Sequence, residues 1–339
     1  MNSKKSNPLK RFLAIRGMGG AMTAFIGLII IYCAFGLINN TVFTGQNVMN
    51  LLRSMSKYLL IGIAQSYVLI TGNIDLSIGS LAGMSAMIIA TLMTMGMNPF
   101  AAILITLASC LVVGVINGFL VGKYKLPPFI ATLGTMFVTR GIAYMVNGNR
   151  NTDAIATGVG KETADSFQNF FYYGTTLGVY NTFWIAVVIF IIFFFLLSKT
   201  RTGRHIYAIG SNVDAAKLSG VNVVATTTKA YLVSAVCSCI VGLILCAQAG
   251  MGNMEAGNMY EMYGVAAGVI GGVSPLGGTG LLLGTFAGAA VWQTLENGLN
   301  MVGAQVGIQR IVIGIIVVFA VLLDVVFRTG QLGKKKSNS

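Results

Sequence analysis

Long apolar blocks separated by short polar stretches dominate this sequence. The stretch 185–197 reads IAVVIFIIFFFLL, and the residues on both sides of it continue the apolar character. A helix of about 20 such residues matches the hydrocarbon thickness of a bilayer. The strands of a membrane β-barrel would instead alternate polar and apolar positions over about 10 residues, and no such alternation dominates. The pattern therefore predicts an all-α, polytopic membrane protein.

We predict ten membrane-spanning helices from these blocks. Their approximate bounds are 20–39, 48–71, 76–96, 99–122, 128–147, 179–198, 230–251, 262–274, 279–301 and 306–327. The first block follows a basic N-terminus, but it is too long for a signal-peptide core and is interpreted as a retained span. The eighth block is short and rich in glycine, which indicates a broken or re-entrant helix.

Composition supports this interpretation and excludes a soluble domain. Hydrophobic residues make up 55% of the 339 residues and charged residues only 9%, against about 25% in ordinary soluble domains. The net charge of +13 does not indicate nucleic-acid binding, because the basic residues lie at the ends of apolar blocks.

The basic residues also predict the orientation. Five segments follow from the span count: an N-tail 1–19, a first membrane half 20–198, a loop 199–229, a second half 230–327 and a C-tail 328–339. Both tails, the loop 199–229 and the short loop 123–127 hold 16 of the 22 lysines and arginines, whereas the 31-residue loop 148–178 holds two. The positive-inside rule therefore places both termini in the cytoplasm, and we predict that the protein lies in an inner (cytoplasmic) membrane.

The two halves contain similar features in the same order. An Asn-Gly pair occurs at Asn117 and again at Asn297, and a glycine-rich segment precedes each pair by about 40 residues. The predicted topology puts one pair near the inner face and the other near the outer face. This arrangement is typical of the two inverted repeats found in many transporters, although chance similarity between glycine-rich helices remains the alternative.

The chain lacks the residues that several kinds of chemistry require. His205 is the single histidine, and the five cysteines all lie inside apolar blocks, so we predict no metal site. No HExxH, GxSxG or paired catalytic aspartates occur within the spans, so we predict no catalytic residues. A P-loop is absent too, which means that any ATP hydrolysis belongs to another chain. We expect this chain to bind no cofactor.

Three motifs carry further information. The first, 71–80, reads TGNIDLSIGS, and in it Asp75 is expected to cap the third span rather than to contact a substrate. The second, 271–280, reads GGVSPLGGTG and is interpreted as a turn that allows close helix packing. The third lies in the loop 199–229, where Ser211 or Asn212 can cap a short helix that ends at Gly220. That helix is expected to present Ala215, Ala216 and Leu218 to another protein.

Together these motifs resemble the ribose/galactose-type permease family of ABC sugar importers over roughly residues 45–328. The residues that carry the resemblance in the first two motifs are Gly72, Asp75, Ser77, Gly79, Gly271, Gly272, Gly277 and Gly278. In the third motif they are Gly203, Arg204, Ala208, Gly210, Asn212, Ala215, Ala216, Ser219 and Gly220. The family usually has glycine where this chain has Asn73.

The resemblance implies a fold related to the cobalamin importer and a dimer of ten-span subunits, formed by two copies or by a close paralogue pair. It also implies an extracytoplasmic sugar-binding protein on the outer face. A cytoplasmic ATPase, which holds ATP and Mg²⁺, would dock on the inner face against the coupling segment 203–220. The sugar stays open among ribose, galactose, xylose, arabinose, inositol and autoinducer 2.

We predict alternating access to a path lined by hydrogen-bonding groups, as a neutral sugar requires. The candidate path residues are Gln65, Ser66, Asn117 and Asn297. The alternative is a self-contained secondary transporter or channel, which would need intramembrane acidic groups for ion coupling. The candidates for that role are Glu255, Glu261, Glu296 and Asp324.

Overall fold

The structure is a computed structural model that describes residues 18–329, and a helix occupies each of the ten predicted spans. The helices at these ten spans are α1 (Met18–Ile38), α2 (Gly45–Ile70), α3 (Ile78–Thr94), α4 (Pro99–Gly122), α5 (Pro128–Met145), α8 (Asn181–Lys199), α11 (Val223–Ala249), α12 (Tyr260–Ile270), α13 (Leu282–Met301) and α14 (Val306–Thr329). Short elements join them: α6 (Ala156–Val159), α7 (Lys161–Gln168), a π-helical turn (Asn169–Tyr173), a hairpin of β1 (Thr175–Thr176) and β2 (Val179–Tyr180), α9 (Arg201–Ser211) and α10 (Val213–Leu218).

Length and apolar composition allow four of the described helices to cross a bilayer, namely α1, α4, α8 and α11. Local signals fix the helix ends. Asn98 caps α4 by accepting a hydrogen bond from the Phe100 amide at 2.9 Å, and Pro99 and Pro128 occupy the first turns of α4 and α5, where no amide donor is needed.

Two helices form the centre of the bundle. The residues from Leu59 to Ile70 of α2 are all buried, and most of α11 is buried as well. Burial on every face means that other helices surround these two segments. Helix α2 packs on α12 and α13, while α11 packs on α3 and α4, and the two central helices contact each other.

The turns gather at two ends of the bundle. At the first, which we call the motif end, Gly20 of α1 contacts Gly272, and Gly122 of α4 contacts Val224 of α11. At the opposite end, the loop end, Gly298 packs on the ring of Phe35 and the segment 146–180 covers the helices. The two Asn-Gly pairs lie toward opposite ends, as predicted.

Two irregular segments run from the ends into the interior. The segment 71–77 leaves the motif end before α3, and the segment 250–259 leaves the loop end before α12. They meet where Gly79 faces Gly257, because a Cβ atom on either glycine would collide with the carbonyl oxygen of the other. Both α3 and α12 are therefore shorter than their neighbours, and α12, at the eighth predicted span, follows the irregular segment 250–259.

Other features of the sequence prediction need correction. The segment 71–77 runs inward from the motif end, because Asp75 contacts Ser234, which lies eleven residues into α11, roughly 16 Å along its axis. The loop 199–229 contains a second helix, α9, and α11 begins seven residues before the predicted 230. The basic C-tail from 330 onward and the N-tail up to 17 lie outside the described residues.

Candidate functional site

The three sequence motifs converge at the motif end. The amide of Gly278 donates a hydrogen bond of 2.9 Å to the carbonyl oxygen of Ile70, the last residue of α2. Gly210 of α9 packs against the same carbonyl group, since a Cβ atom at Gly210 would overlap it. We call this contact of Ile70, Gly210 and Gly278 the motif junction.

Glycine is required at the motif junction for two reasons. Gly72, Gly277 and Gly278 have φ angles of +79°, +86° and +72°, a region that other residues rarely adopt. In addition, a Cβ atom at Gly277 would lie 2.8 Å from both the Gly210 carbonyl oxygen and the Gly72 Cα atom. The first, second and third motifs are thus in backbone contact with one another.

A tyrosine adds a directional bond beside the junction. The hydroxyl of Tyr207 in α9 donates to the carbonyl oxygen of Gly280 at 2.6 Å. Burial raises the pKa of Tyr207 to about 12, so the phenol keeps its proton at neutral pH and remains a donor. The sequence prediction missed Tyr207, although its position on the buried side of an amphipathic α9 was a usable signal.

The proposed coupling segment consists of two capped helices. Thr200 caps α9 by accepting from the Gly203 amide, which the sequence did not predict. Asn212 caps α10 by accepting from the Ala215 amide at 2.9 Å, one of the two caps that the sequence predicted for this helix. Gly220 follows α10 with a φ of +81°. Both helices therefore begin at capping side chains, and a glycine follows the end of α10.

The two helices differ in what they expose. Leu218 at the end of α10 is 90% exposed, and Ala215 beside it is exposed too. The expectation that Ala216 is presented is wrong, because it packs inward and is 4% exposed. Of the remaining motif residues, Gly203 packs on the Leu197 backbone and Ala208 is half-buried, and the exposed ones are Arg204, Asn212, Ser219 and Gly220.

Asp75 is the centre of a buried polar network. One carboxylate oxygen accepts from the Ser77 amide at 2.9 Å and from the Ser77 hydroxyl at 2.6 Å. The other accepts from the Ser234 hydroxyl at 2.7 Å. The expected capping role is wrong, because Ser77 is the N-cap residue of α3 and no side chain among the described residues accepts from the first amides of that helix. Asp75 instead binds Ser77 and links the start of α3 to α11.

Asn117 extends the Asp75 network to two further helices. Its amide nitrogen donates to the Ser77 hydroxyl at 3.0 Å, and its carbonyl oxygen accepts from Thr135 at 2.8 Å. Asn297 lies near the loop end, where it exchanges two amide hydrogen bonds of 2.9 and 3.1 Å with Asn47. These two predicted path residues are therefore far apart and already hydrogen-bonded.

Gln65 and Ser66 lie side by side on α2 and are fully buried. Ser66 shares a hydrogen bond of 2.8 Å with Thr285 of α13. Neither polar atom of the Gln65 amide has a partner among the described residues, and such a group costs about 1–3 kcal/mol when it is shut away from water. Gln65 is thus the predicted path residue with free hydrogen-bonding capacity.

Two of the four acidic residues of the alternative hypothesis accept hydrogen bonds from tyrosine hydroxyls. Glu255 accepts from Tyr144 and Glu296 accepts from Tyr58, at 2.6 and 2.7 Å. Glu261 is 8% exposed and lies over Gly79 at the start of α3. The side chain of Asp324 lies outside the described residues.

The apolar helices, the interior polar groups and the glycine-packed turns define a helical membrane transport subunit. The model of the family described as branched-chain amino acid transport system/permease component matches residues 47–321. The chain belongs to this family of permease components, and the predicted kinship with the permeases of monosaccharide ABC importers is confirmed. It is a non-catalytic subunit of the inner membrane, as predicted.

Curated relatives cover nearly the whole chain. The ribose import permease protein of Bacillus subtilis is 36% identical over 88% of this chain and 91% of the relative. The D-allose transport system permease protein of Escherichia coli is 33% identical over 88% and 90%, and its galactose/methyl galactoside import permease protein is 32% identical over 93% and 96%. No solved structure matches the chain.

Proposed function

We propose that this permease imports a neutral monosaccharide by alternating access, with ribose as the first candidate. The relatives with the names quoted above move ribose, allose and galactose, and all of these are uncharged polyols that need hydrogen-bonding groups along their path. A partner ATPase would supply the energy from ATP and Mg²⁺, and a sugar-binding protein would deliver the sugar at the outer face.

The proposed topology has ten spans, with the motif end in the cytoplasm. Its support is the distribution of basic residues, since Lys199, Arg201, Arg204 and Lys229 all surround the motif end. We further propose two inverted repeats in a cobalamin-importer-like arrangement. In each repeat the central helix packs on two helices of the other repeat: α2 packs on α12 and α13, and α11 packs on α3 and α4. The mutual contact of Gly79 and Gly257 is what a two-fold axis through this point would produce.

The motif junction is the observation that carries the coupling mechanism. In this proposal the ATPase moves α9 and α10, and Gly210 passes that motion to the end of α2 through Ile70. Because Gly278 binds the same carbonyl oxygen, the turn between α12 and α13 moves with it. The two central helix groups would then exchange between two discrete arrangements, as coupling requires.

A second copy of the chain, or a close paralogue, would complete the transporter. Two helices offer suitable faces, because a Cβ atom at Gly134 or Gly141 of α5, or at Gly307 or Gly314 of α14, would meet nothing within 4 Å among the described residues. Glycines one heptad apart let helices approach closely in lipid. Gln65, Ser66, Asn117 and Asn297 remain predicted path residues in this arrangement.

The test replaces the most exposed apolar residue of the coupling segment. The Leu218→Asp variant should lose co-purification with the ATPase and lose sugar uptake, because it puts a charge into the proposed docking contact. Leu177→Asp is the matched control, since Leu177 is 87% exposed at the loop end and should retain both. Normal ATPase binding by Leu218→Asp, with normal uptake, would refute the coupling role.

A further inference from the structure

The segment 250–259 runs from the loop end into the bundle without forming a helix. It starts at the loop end, where the Gly250 carbonyl accepts from the Ile155 amide at 2.9 Å. It reaches Gly257, which faces Gly79 of α3. Gly79 lies fifteen residues before Thr94, the residue at which α3 ends at the loop end. At the rise of an α-helix this separation is roughly 22 Å, well inside a hydrocarbon core about 30 Å thick.

One side of this segment is open and polar. Asn253, Glu255 and Asn258 are exposed, and the apolar residues that continue the surface into α12, Met259 and Met262, are 42% and 48% exposed. Lipid cannot cover such a surface, because irregular backbone at membrane depth occurs only where it lines water or is buried in protein. A carboxylate facing hydrocarbon would be costly for the same reason.

Neighbouring side chains from α5 hold the segment in place. One nitrogen of the Arg140 guanidinium donates to the carbonyl oxygens of Met254 and Ala256, both at 2.9 Å. The Tyr144 hydroxyl donates to the Glu255 carboxylate at 2.6 Å. The open polar side therefore has a fixed geometry, with a carboxylate, a phenol and two amides on one surface.

We propose that this surface, formed by Asn253, Tyr144, Glu255 and Asn258, is the wall of the permease that contacts the sugar as it crosses. The inference rests on the proposed function for the identity of the cargo. Carboxylate and amide groups bind sugar hydroxyls, and methionine side chains adapt to the apolar face of a sugar ring. The second subunit would supply the opposing wall of the path. In a single chain this side of the path is therefore open.

The first test asks whether water reaches this wall. In a Cys33→Ser background, Asn258→Cys in the assembled transporter should react with a water-soluble maleimide about tenfold faster than Val188→Cys. Val188 is the matched control, because it is 54% exposed on the apolar helix α8 and should face lipid. Equal, slow labelling of the two variants, with and without ATP, would overturn the proposal.

The second test asks whether sugar contacts the wall. Ribose, allose and galactose are each added together with the binding protein. At least one of these sugars should slow the labelling of Asn258→Cys. Glu255→Gln should lower sugar uptake roughly tenfold while ATPase assembly is retained. Glu162→Gln, an exposed glutamate of the segment 146–180, should have no effect.

The outcomes separate this inference from the proposed function. Uptake by the wild-type transporter establishes the cargo independently of either variant. Fast labelling that no transported sugar slows, together with normal uptake by Glu255→Gln, would refute sugar contact at this wall while leaving the importer intact. Absence of sugar uptake by the wild type, with fast labelling of Asn258→Cys, would refute the cargo and leave a water-lined path.

Discussion

The Tyr207 hydroxyl donates a hydrogen bond of 2.6 Å to the Gly280 carbonyl oxygen, and this bond joins α9 to the turn that precedes α13. It is a directional contact beside a junction otherwise made by close backbone packing. Any motion of α9 relative to the bundle must either carry this turn along or break the bond. The bond is therefore a sensitive point at which to test the coupling proposal.

Tyr207→Phe removes the hydrogen bond and keeps the ring. A typical net contribution of about 1 kcal/mol predicts roughly a fivefold loss of coupling between ATP hydrolysis and uptake. The measurement is sugar transported per ATP hydrolysed by the reconstituted transporter. Tyr173→Phe is the control, because its hydroxyl also donates to a backbone carbonyl, that of Gln248, but at the loop end. A similar change in both variants would contradict a specific role for Tyr207.

Gly210→Ala places a methyl group against the Ile70 carbonyl oxygen. The new methyl group would also meet the amide nitrogen of Gly278. Because these two contacts are backbone atoms that cannot turn aside, α9 must move away. We expect both sugar uptake and the unfolding temperature to fall. Gly27→Ala is the matched control, because a Cβ atom at Gly27 of α1 would meet nothing within 4 Å, and it should raise stability slightly, since alanine is favoured over glycine in a helix by about 0.5–1 kcal/mol. Thermal unfolding that ranks the two variants the other way would be inconsistent with the packed junction.

The membrane fold could be predicted from the sequence to a large extent. Apolar blocks and Asn-Gly pairs carry information that does not depend on distant contacts, so the ten helices and the opposite positions of Asn117 and Asn297 followed directly. The cap at Asn212 was predictable for the same reason, because the Asn side chain bonds an amide three residues away.

Features that depend on the third dimension could not be predicted. Asp75 lies between two predicted spans, and the sequence predicted only that it would cap the third span. Its partner Ser234 is 159 residues away and gave no local signal. Ala216 was assigned to an exposed face because small residues suit protein contacts, yet the same small size suits inward packing. The segment 250–259 lacks periodicity, and only its contact with Gly79 reveals its depth.

Asp75 should be essential for stability. Asp75→Ala leaves the Ser77 amide and the hydroxyls of Ser77 and Ser234 without their acceptor, at about 1–3 kcal/mol for each group that stays buried and unpaired. Asp75→Asn retains one acceptor oxygen and should be destabilised less. The check is thermal unfolding of the purified variants in detergent, and equal unfolding temperatures for Asp75→Ala and the wild type would exclude this role.

Arg53 should fasten the loop end to α2. Its guanidinium group lies 4.6 Å from the ring centre of Tyr172 and 4.1 Å from that of Tyr180, at cation–π distances worth roughly 0.5–1 kcal/mol each. Arg53→Met should therefore loosen the hairpin of β1 and β2 and speed amide hydrogen exchange in residues 174–180 severalfold. Arg150→Met changes a basic residue of the same segment 146–180 and should leave that exchange unchanged. If the exchange in Arg53→Met stays at the wild-type rate, the two stacking contacts do not hold this hairpin in solution.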